Sequence, residues 1–264
     1  MFPELKLTLE MQHFSSSGID LAFIDEGAAE ATKPPVLLIH GFASNVVFNW
    51  IDPGWVRTLT RAGHRVIALD NRGHGQSEKL YEESAYGPKL MAEDARALLD
   101  HLGIERAHVF GYSMGARVTA FLSLAHPERV RSAVFGGLGA NMVRGLAGAR
   151  PIAKAMLEPR IEDVTNAAAR TFRAFADTTG ADRRALAACV VGSREALPKE
   201  EVAKILAPVL VAVGDQDVIG GSAAELAAMI PGAEAFVIEG RDHMKAVGDM
   251  RFKEKVVAWL GARS

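Results

Sequence analysis

The chain has 264 residues, a formal net charge of −2 and a hydrophobic fraction of 49%. That length suits one large sheet-based domain with a substantial core. The near-neutral charge, with no basic stripe, gives no sign of a nucleic-acid partner. The single cysteine, Cys189, rules out an intrachain disulfide and fits a reducing, cytoplasmic setting. It lies among alanines and valines and reads as a small packed apolar side chain. The opening Met1-Phe2-Pro3-Glu4-Leu5-Lys6 lacks a basic region followed by an apolar stretch, so it is not read as a secretory signal. No apolar run approaches the roughly 20 residues of a membrane span.

In chain order, Leu5–Met11 and Ile19–Ile24 read as an antiparallel pair joined through Ser15-Ser16-Ser17-Gly18. Residues 28–35 form a loop, and Val36–Ile39 is the next strand. Pro53–Ala62 reads as a helix stopped by Gly63. Arg65–Leu69 is a strand. Pro88–Leu102 is a helix whose inner face is Met91, Ala95, Leu98 and Leu102, closed by Gly103. Arg106–Phe110 is a short apolar run that suits a buried strand. A helix follows from Ala116 to His126, closed by Pro127, and His126 at its end suits the helix dipole as a cation. Val130–Phe135 is another strand. Alternation resumes with a strand from Pro208 to Val213, a helix Ser222–Ile230, a strand Ala235–Ile238 and a helix Asp249–Leu260. The pattern predicts an α/β domain with a mainly parallel sheet and helices on both faces. From Leu138 to Leu206 it breaks. That stretch is rich in alanine and arginine, offers no convincing strand and predicts several short helices. Its arginines, including Arg144, Arg150, Arg160, Arg170 and Arg173, read mostly as a solvated helix face.

Between the strand ending at Phe110 and the helix after it lies Gly111-Tyr112-Ser113-Met114-Gly115, a G-x-S-x-G pentapeptide. In a strand–turn–helix setting this motif lifts a serine hydroxyl above the sheet edge. The two glycines are needed because a side chain there would collide with the neighbouring strand or helix. The serine takes a strained backbone, which costs on the order of 1–3 kcal/mol. A serine hydroxyl needs a base, and the base an orienting acid, in the chain order Ser, Asp or Glu, His. The strand from Pro208 ends in Gly214-Asp215-Gln216-Asp217, and the next in Glu239-Gly240-Arg241-Asp242-His243. Both sets lie just beyond strand ends, which in a parallel sheet share one edge with Ser113.

With these motifs the chain resembles the α/β-hydrolase fold family over nearly its whole length. Pro35–Phe42 looks like the family's strand and H-G turn, and Asp70–Ser77 like its D-x-R-G-x-G-x-S loop. The family's G-x-x-D pattern selects Asp217 over Asp215, and its histidine after the following strand selects His243. The resemblance implies an oxyanion hole made of the backbone N–H groups of Phe42 and Met114. It implies a core of residues 1–137 and 207–264, with residues 138–206 a helical cap over the site. His-Gly-Phe in place of H-G-G-G argues against the hormone-sensitive-lipase branch. A serine nucleophile argues against the haloalkane dehalogenases and epoxide hydrolases of this fold, which carry Asp at the elbow.

Other residues have plainer readings. His40 and His74 lie in glycine turns and read as structural hydrogen-bonders. Asp70 and Arg72 read as a loop-bracing pair. Tyr112 flanks the nucleophile and lines either the pocket or the elbow packing. Met156, Leu157, Phe172 and Phe175 are the bulky apolar candidates of the cap that face either pocket or core. The expected protein is therefore a cytoplasmic serine hydrolase of a small carboxylic ester or related acyl compound. Ser113 is its nucleophile, His243 its base and Asp217 the orienting acid. No metal and no cofactor are expected, and no nucleic-acid or membrane partner. A C–C bond hydrolase of aromatic catabolism, an enol-lactonase or perhydrolase, and a ligand receptor on the same fold remain open. The C–C hydrolases often show G-N-S-M-G-G where this chain has Tyr112 and Ala116. Oligomeric state is not legible.

Overall fold

The structure of the chain, a computed structural model, describes residues 10–145 and 148–264. β1 (Gln12–Ser16) and β2 (Ile19–Glu26) form an antiparallel hairpin. Its two-residue turn, Ser17-Gly18, has φ of 51° and 84°, a geometry whose twist matches the flanking strands. The turn pairs Ser16 with Ile19 and so draws residues 12–16 into the ladder. The first strand therefore lies later than the predicted Leu5–Met11. Met11 precedes it, and residues 5–9 of that prediction lie outside the described residues.

β3 (Lys33–Ile39), β4 (His64–Leu69), β5 (Ala107–Tyr112), β6 (Val130–Gly136), β7 (Val209–Gly214) and β8 (Glu234–Ile238) follow. Among the described residues they complete one sheet in the order β1-β2-β4-β3-β5-β6-β7-β8. β2 meets β4 antiparallel, and every pair from β4 to β8 is parallel. Parallel neighbours need long crossovers, which put helices on the sheet faces. α1 (Trp55–Arg61), α2 (Pro88–His101) and α3 (Met114–Ala125) are the first of these. A π-helical turn, Val47–Ile51, stands before α1 where no element is predicted. Between β6 and β7 run α4 (Asn141–Arg144), α5 (Ala149–Leu157), α6 (Ala167–Thr179), α7 (Arg183–Gly192) and α8 (Lys199–Val202). α9 (Ala223–Ala227), α10 (His243–Ala246) and α11 (Met250–Gly261) finish the chain. No helix among the described residues is long and apolar enough to cross a membrane.

The core divides by strand parity, because successive side chains point to opposite faces. Leu37, Ile39, Val109, Phe135 and Val211 pack with α2, α3 and α9. Val36, Leu38, Phe110, Val134 and Leu210 pack with α1 and α11. On that second face Trp50, Trp55, Phe110 and Phe252 form an edge-to-face cluster with centroids 4.8–6.4 Å apart. Such pairs add about 0.5–1.5 kcal/mol each beyond their buried area.

The α5–α7 helices carry a separate apolar cluster that includes Ile152, Met156, Ala176, Leu186 and Val190. Arg173 departs from the predicted solvated face. It is only 4% exposed, and its guanidinium donates to the Ala155 and Glu158 carbonyls and to Asp177. It closes the orphan carbonyls at the end of α5, where a cation suits the helix dipole. The exposed arginines form surface pairs instead, Arg144 with Glu225, Arg150 with Glu83 and Arg160 with Asp163. Arg170 turns back onto the Val164 carbonyl. Cys189 is fully buried beside the sulfur of Met114, and burial pushes its thiol up to about 12.

Four buried histidines, His40, His64, His74 and His108, are each lowered by burial and give the fold a pH dependence with a definite sign. Burial pushes His40 down to about 4 and His74 and His108 down to about 3, the last two also through a neighbouring histidine. An unfolded histidine titrates near 6.5, so the unfolded chain binds more protons as the pH falls below that value. Stability is therefore complete above about pH 6.5 and is lost toward pH 4 and below, with the buried, raised Asp70 carboxyl opposing in part. The urea midpoint should fall steadily between about pH 7 and pH 4. A midpoint that holds or rises would show that these rings are not buried in the neutral form.

Candidate active site

β5 ends at Tyr112 and α3 begins at Met114, so the whole reversal falls on Ser113. Its backbone sits at φ 53° and ψ −110°, a region that a non-glycine residue rarely occupies. The turn is closed from both sides. A Cβ on Gly111 would come within 2.1 Å of the Gly115 carbonyl oxygen, and one on Gly115 within 1.9 Å of the Ile39 carbonyl oxygen. The Ser113 N–H donates to the Gly136 carbonyl at 2.7 Å, which ties the elbow to β6.

Ser113 Oγ lies 3.0 Å from His243 Nε2, and His243 Nδ1 lies 2.7 Å from Asp217 Oδ2. The other Asp217 oxygen accepts from the Ile219 and Gly220 N–H groups, both at 2.8 Å. The carboxylate is thereby fixed with one oxygen aimed at the ring. Asp215 has a different place. It accepts from the Gly240 and Arg241 N–H groups and pins the loop before α10. Asp242 caps α10 through the Met244 and Lys245 N–H groups. The Tyr112 hydroxyl donates to the His243 carbonyl at 2.6 Å, and burial pushes its phenol well above the usual range.

The strand-end loop His40–Ser44 faces the serine. Gly41 N–H donates to Asn49 Oδ1 at 3.0 Å, and Ala43, at φ 61°, donates to His74 Nε2 at 3.2 Å. His40 accepts from the Asn71 N–H at 2.9 Å, and Asn71 returns a bond to the His40 carbonyl. Asp70 accepts from the Val46 and Gln76 N–H groups. The expected Asp70–Arg72 pair does not form. Arg72 makes a two-pronged bond to Asp94 at 2.7 and 2.8 Å, and Ser16 joins that carboxylate. Asp94 is on α2, and no local sequence signal links it to the loop. Phe42 and Met114 line one small cavity together with Ser113. Neither backbone N–H has a protein acceptor among the described residues, and Met114, as the first residue of α3, has no intrahelical acceptor.

A cavity of about 110 Å³ opens at Ser113 between Phe42, Phe48, Phe172, Phe175, Met244 and Val247. Tyr112, Asn49 and His243 complete the wall. Met156 and Leu157 are elsewhere. Met156 is 1% exposed inside the α5–α7 cluster, and Leu157 is 59% exposed at the surface. The difference follows from helix phase: α5 turns its apolar stripe toward α6 and α7. Asn49, Phe48 and Met244 carry no motif, so the sequence offered no signal for them.

A family model described as alpha/beta hydrolase fold matches residues 34–144. A hydrolase from Pseudomonas aeruginosa PA01 superposes with a TM-score of 0.77 at 26% identity, over 97% of this chain and 99% of that one. The enol-lactonase from Burkholderia xenovorans LB400 has a TM-score of 0.78 at 22% identity, over 95% of this chain and 100% of its own, and shares the fold. Epoxide hydrolase B of Mycobacterium tuberculosis is 36% identical over 136 residues, 50% of this chain. The match spans 36% of that relative's length.

The elbow makes a test of its own geometry. Gly115→Ala should prevent cooperative folding, because the new Cβ meets backbone and no rotamer can relieve it. Gly248→Ala, with nothing within 4 Å of its Cβ, should leave the thermal midpoint within a few degrees. Circular dichroism melts of both variants check this, and a normally folded Gly115→Ala protein would contradict the packing described.

Proposed function

Because the chain is an α/β-hydrolase-fold protein, we propose that it is a serine hydrolase cleaving a small carboxylic ester or related acyl compound. The observation that carries this reading is the unbroken hydrogen-bond line from Ser113 through His243 to Asp217. Ser113 Oγ attacks the carbonyl carbon and His243 Nε2 takes its proton. Asp217 holds the ring with Nδ1 protonated and stabilises the imidazolium that forms. The Phe42 and Met114 N–H groups receive the oxygen that becomes negative, and losing one such donor typically costs about 10²–10³ in rate. The imidazolium protonates the leaving alcohol. Water, deprotonated by His243, then attacks the acyl-enzyme, and Ser113 recovers its proton as the acid departs.

The epoxide hydrolases among the relatives fit the same fold with a different reaction. A serine that opened an epoxide would be left as an ether, with no carbonyl for water to attack, and turnover would stop after one cycle. A carbonyl substrate lets the serine be released. On this reading residues 138–206 act as a cap, because Phe172 and Phe175 of α6 close the cavity over Ser113.

Ser113→Ala should abolish ester hydrolysis with the fold intact, and a fluorophosphonate should label Ser113 alone. Retained turnover or labelling elsewhere defeats the reading. Asp217→Asn should lower kcat by about 10⁴-fold, since the wrong histidine tautomer is then favoured. Asp215→Asn should act mainly on stability, through the loop it pins. A reversed order of kinetic severity would move the acid to Asp215.

The cap is tested by chain length. Each methylene in an apolar pocket is worth about 1–3 kcal/mol in selectivity. Phe172→Ala and Phe175→Ala should shift the optimum chain length toward longer groups on whichever side of the ester the aromatic cavity holds, read across p-nitrophenyl acyl esters and alkyl butyrates in parallel. Met156→Ala should lower the melting temperature and leave that optimum in place. An optimum that moves only with Met156 would reverse the assignment.

A further inference from the structure

Ser113 borders two compartments of opposite chemistry. One is the apolar cavity under Phe172 and Phe175. The second is smaller, about 30 Å³, and shares Phe42, Phe172 and Ser113 with the first. Its polar lining comes from Arg117, Ser193 and Arg194. A volume of that size holds about two water-sized groups, enough for a carboxylate and too little for a ring.

Arg117 lies on α3 one turn beyond Ser113 and is 2% exposed. Its guanidinium donates to the carbonyls of Met142, Glu195 and Asn141, and none of these bonds neutralises its charge. Arg194 stands half-buried with its guanidinium 5.8 Å from the centroid of Phe172, at the wall between the two compartments. Burial lowers both guanidiniums from their usual value, and the charge of Arg194 lowers Arg117 further, to about 10, with the Glu195 carboxylate opposing in part. Two like charges held near each other in a partly dry wall raise the local potential, and an anion placed between them lowers it. Arginine is also the side chain suited to a planar carboxylate, through two parallel N–H bonds.

We propose that this second compartment binds a carboxylate of the substrate, so that the natural substrate is an ester or lactone bearing an acid group on its acyl side. The proposal rests on the serine-hydrolase reading of Ser113 and names the substrate class for it. Arg194 supplies the contact, the Ser193 hydroxyl is a second donor, and Arg117 supplies field from a fixed position. The acid group enters the cationic compartment, the scissile carbonyl sits at Ser113, and the leaving group occupies the aromatic cavity.

The test compares p-nitrophenyl butyrate with the mono-p-nitrophenyl ester of glutaric acid, which adds a terminal carboxylate to a similar acyl chain. The wild type should favour the glutarate ester in kcat/KM, and added salt should erode the preference. Arg194→Gln should lower the glutarate-to-butyrate ratio by about ten- to a hundredfold, as expected for loss of a hydrogen bond to a charged group, mainly through KM. Arg194→Lys should keep part of the preference. An unchanged ratio, or equal losses on both esters, overturns the proposal. Calorimetry of glutarate with Ser113→Ala separates the two readings. Glutarate binding that Arg194→Gln abolishes, together with a wild type that turns over neither ester, keeps the subsite and sinks the ester reading. Turnover of both esters without preference, and without glutarate binding, does the reverse.

Discussion

The close approach of α3 to β3 is the constraint on which the rest of the site depends. Gly115 lies so near the Ile39 carbonyl that not even a methyl group fits between them. This contact forces the reversal between β5 and α3 into one residue and leaves Ser113 in a strained conformation with positive φ. Strain of this kind costs on the order of 1–3 kcal/mol and persists only where the surroundings over-determine it. Here β3, β6 and α3 all bear on the same turn. The serine hydroxyl consequently points toward the histidine.

Around that turn the polar interior is largely satisfied by its own side chains, with Asn49 Nδ2 and the Trp50 indole N–H left without a partner. His40, Asn71, His74, Asp70 and Asn49 exchange bonds with loop backbone groups that a buried loop could not otherwise satisfy. Their rings stay neutral because charging them in this interior is costly. The network fixes the strand-end loop that carries Phe42. α6 is tied to the same loop by the Thr179 hydroxyl on the Ala43 carbonyl, at 2.8 Å. The helices over the site and the loop beneath it are thus positioned by one shared set of hydrogen bonds. Phe172 and Phe175 inherit their placement from it.

The walls around Ser113 differ in chemistry from one side to the other. The aromatic side is closed by phenylalanines from three elements, the loop after β3, the π-helical turn and α6. Across Phe42 and Phe172 the wall becomes cationic. A shared fold and a 36%-identical relative that is an epoxide hydrolase leave such differences undetermined, since reaction type and selectivity reside in side chains at the strand ends.

The sequence by itself determined what is encoded locally. Apolar runs bounded by glycine and proline set the strands of the parallel sheet and the long helices between them. G-x-S-x-G between a strand and a helix placed Ser113, and the order of acid and histidine after later strands narrowed the partners. Tertiary structure decided whatever depends on what covers a residue. Asp215, Asp217 and Asp242 are near neighbours of the same type, and only the turn after β7 aims Asp217 at His243 while Asp215 holds the 240–241 backbone. Arg72 pairs with Asp94 on α2 because the sheet brings α2 to the loop. Met156 and Leu157 differ in burial from Phe172 and Phe175 because α5 and α6 meet at one particular rotation. Helical periodicity marks a face as apolar without saying which surface it will meet. That is fixed by contacts between residues far apart in the chain, such as the 130 positions separating Ser113 from His243.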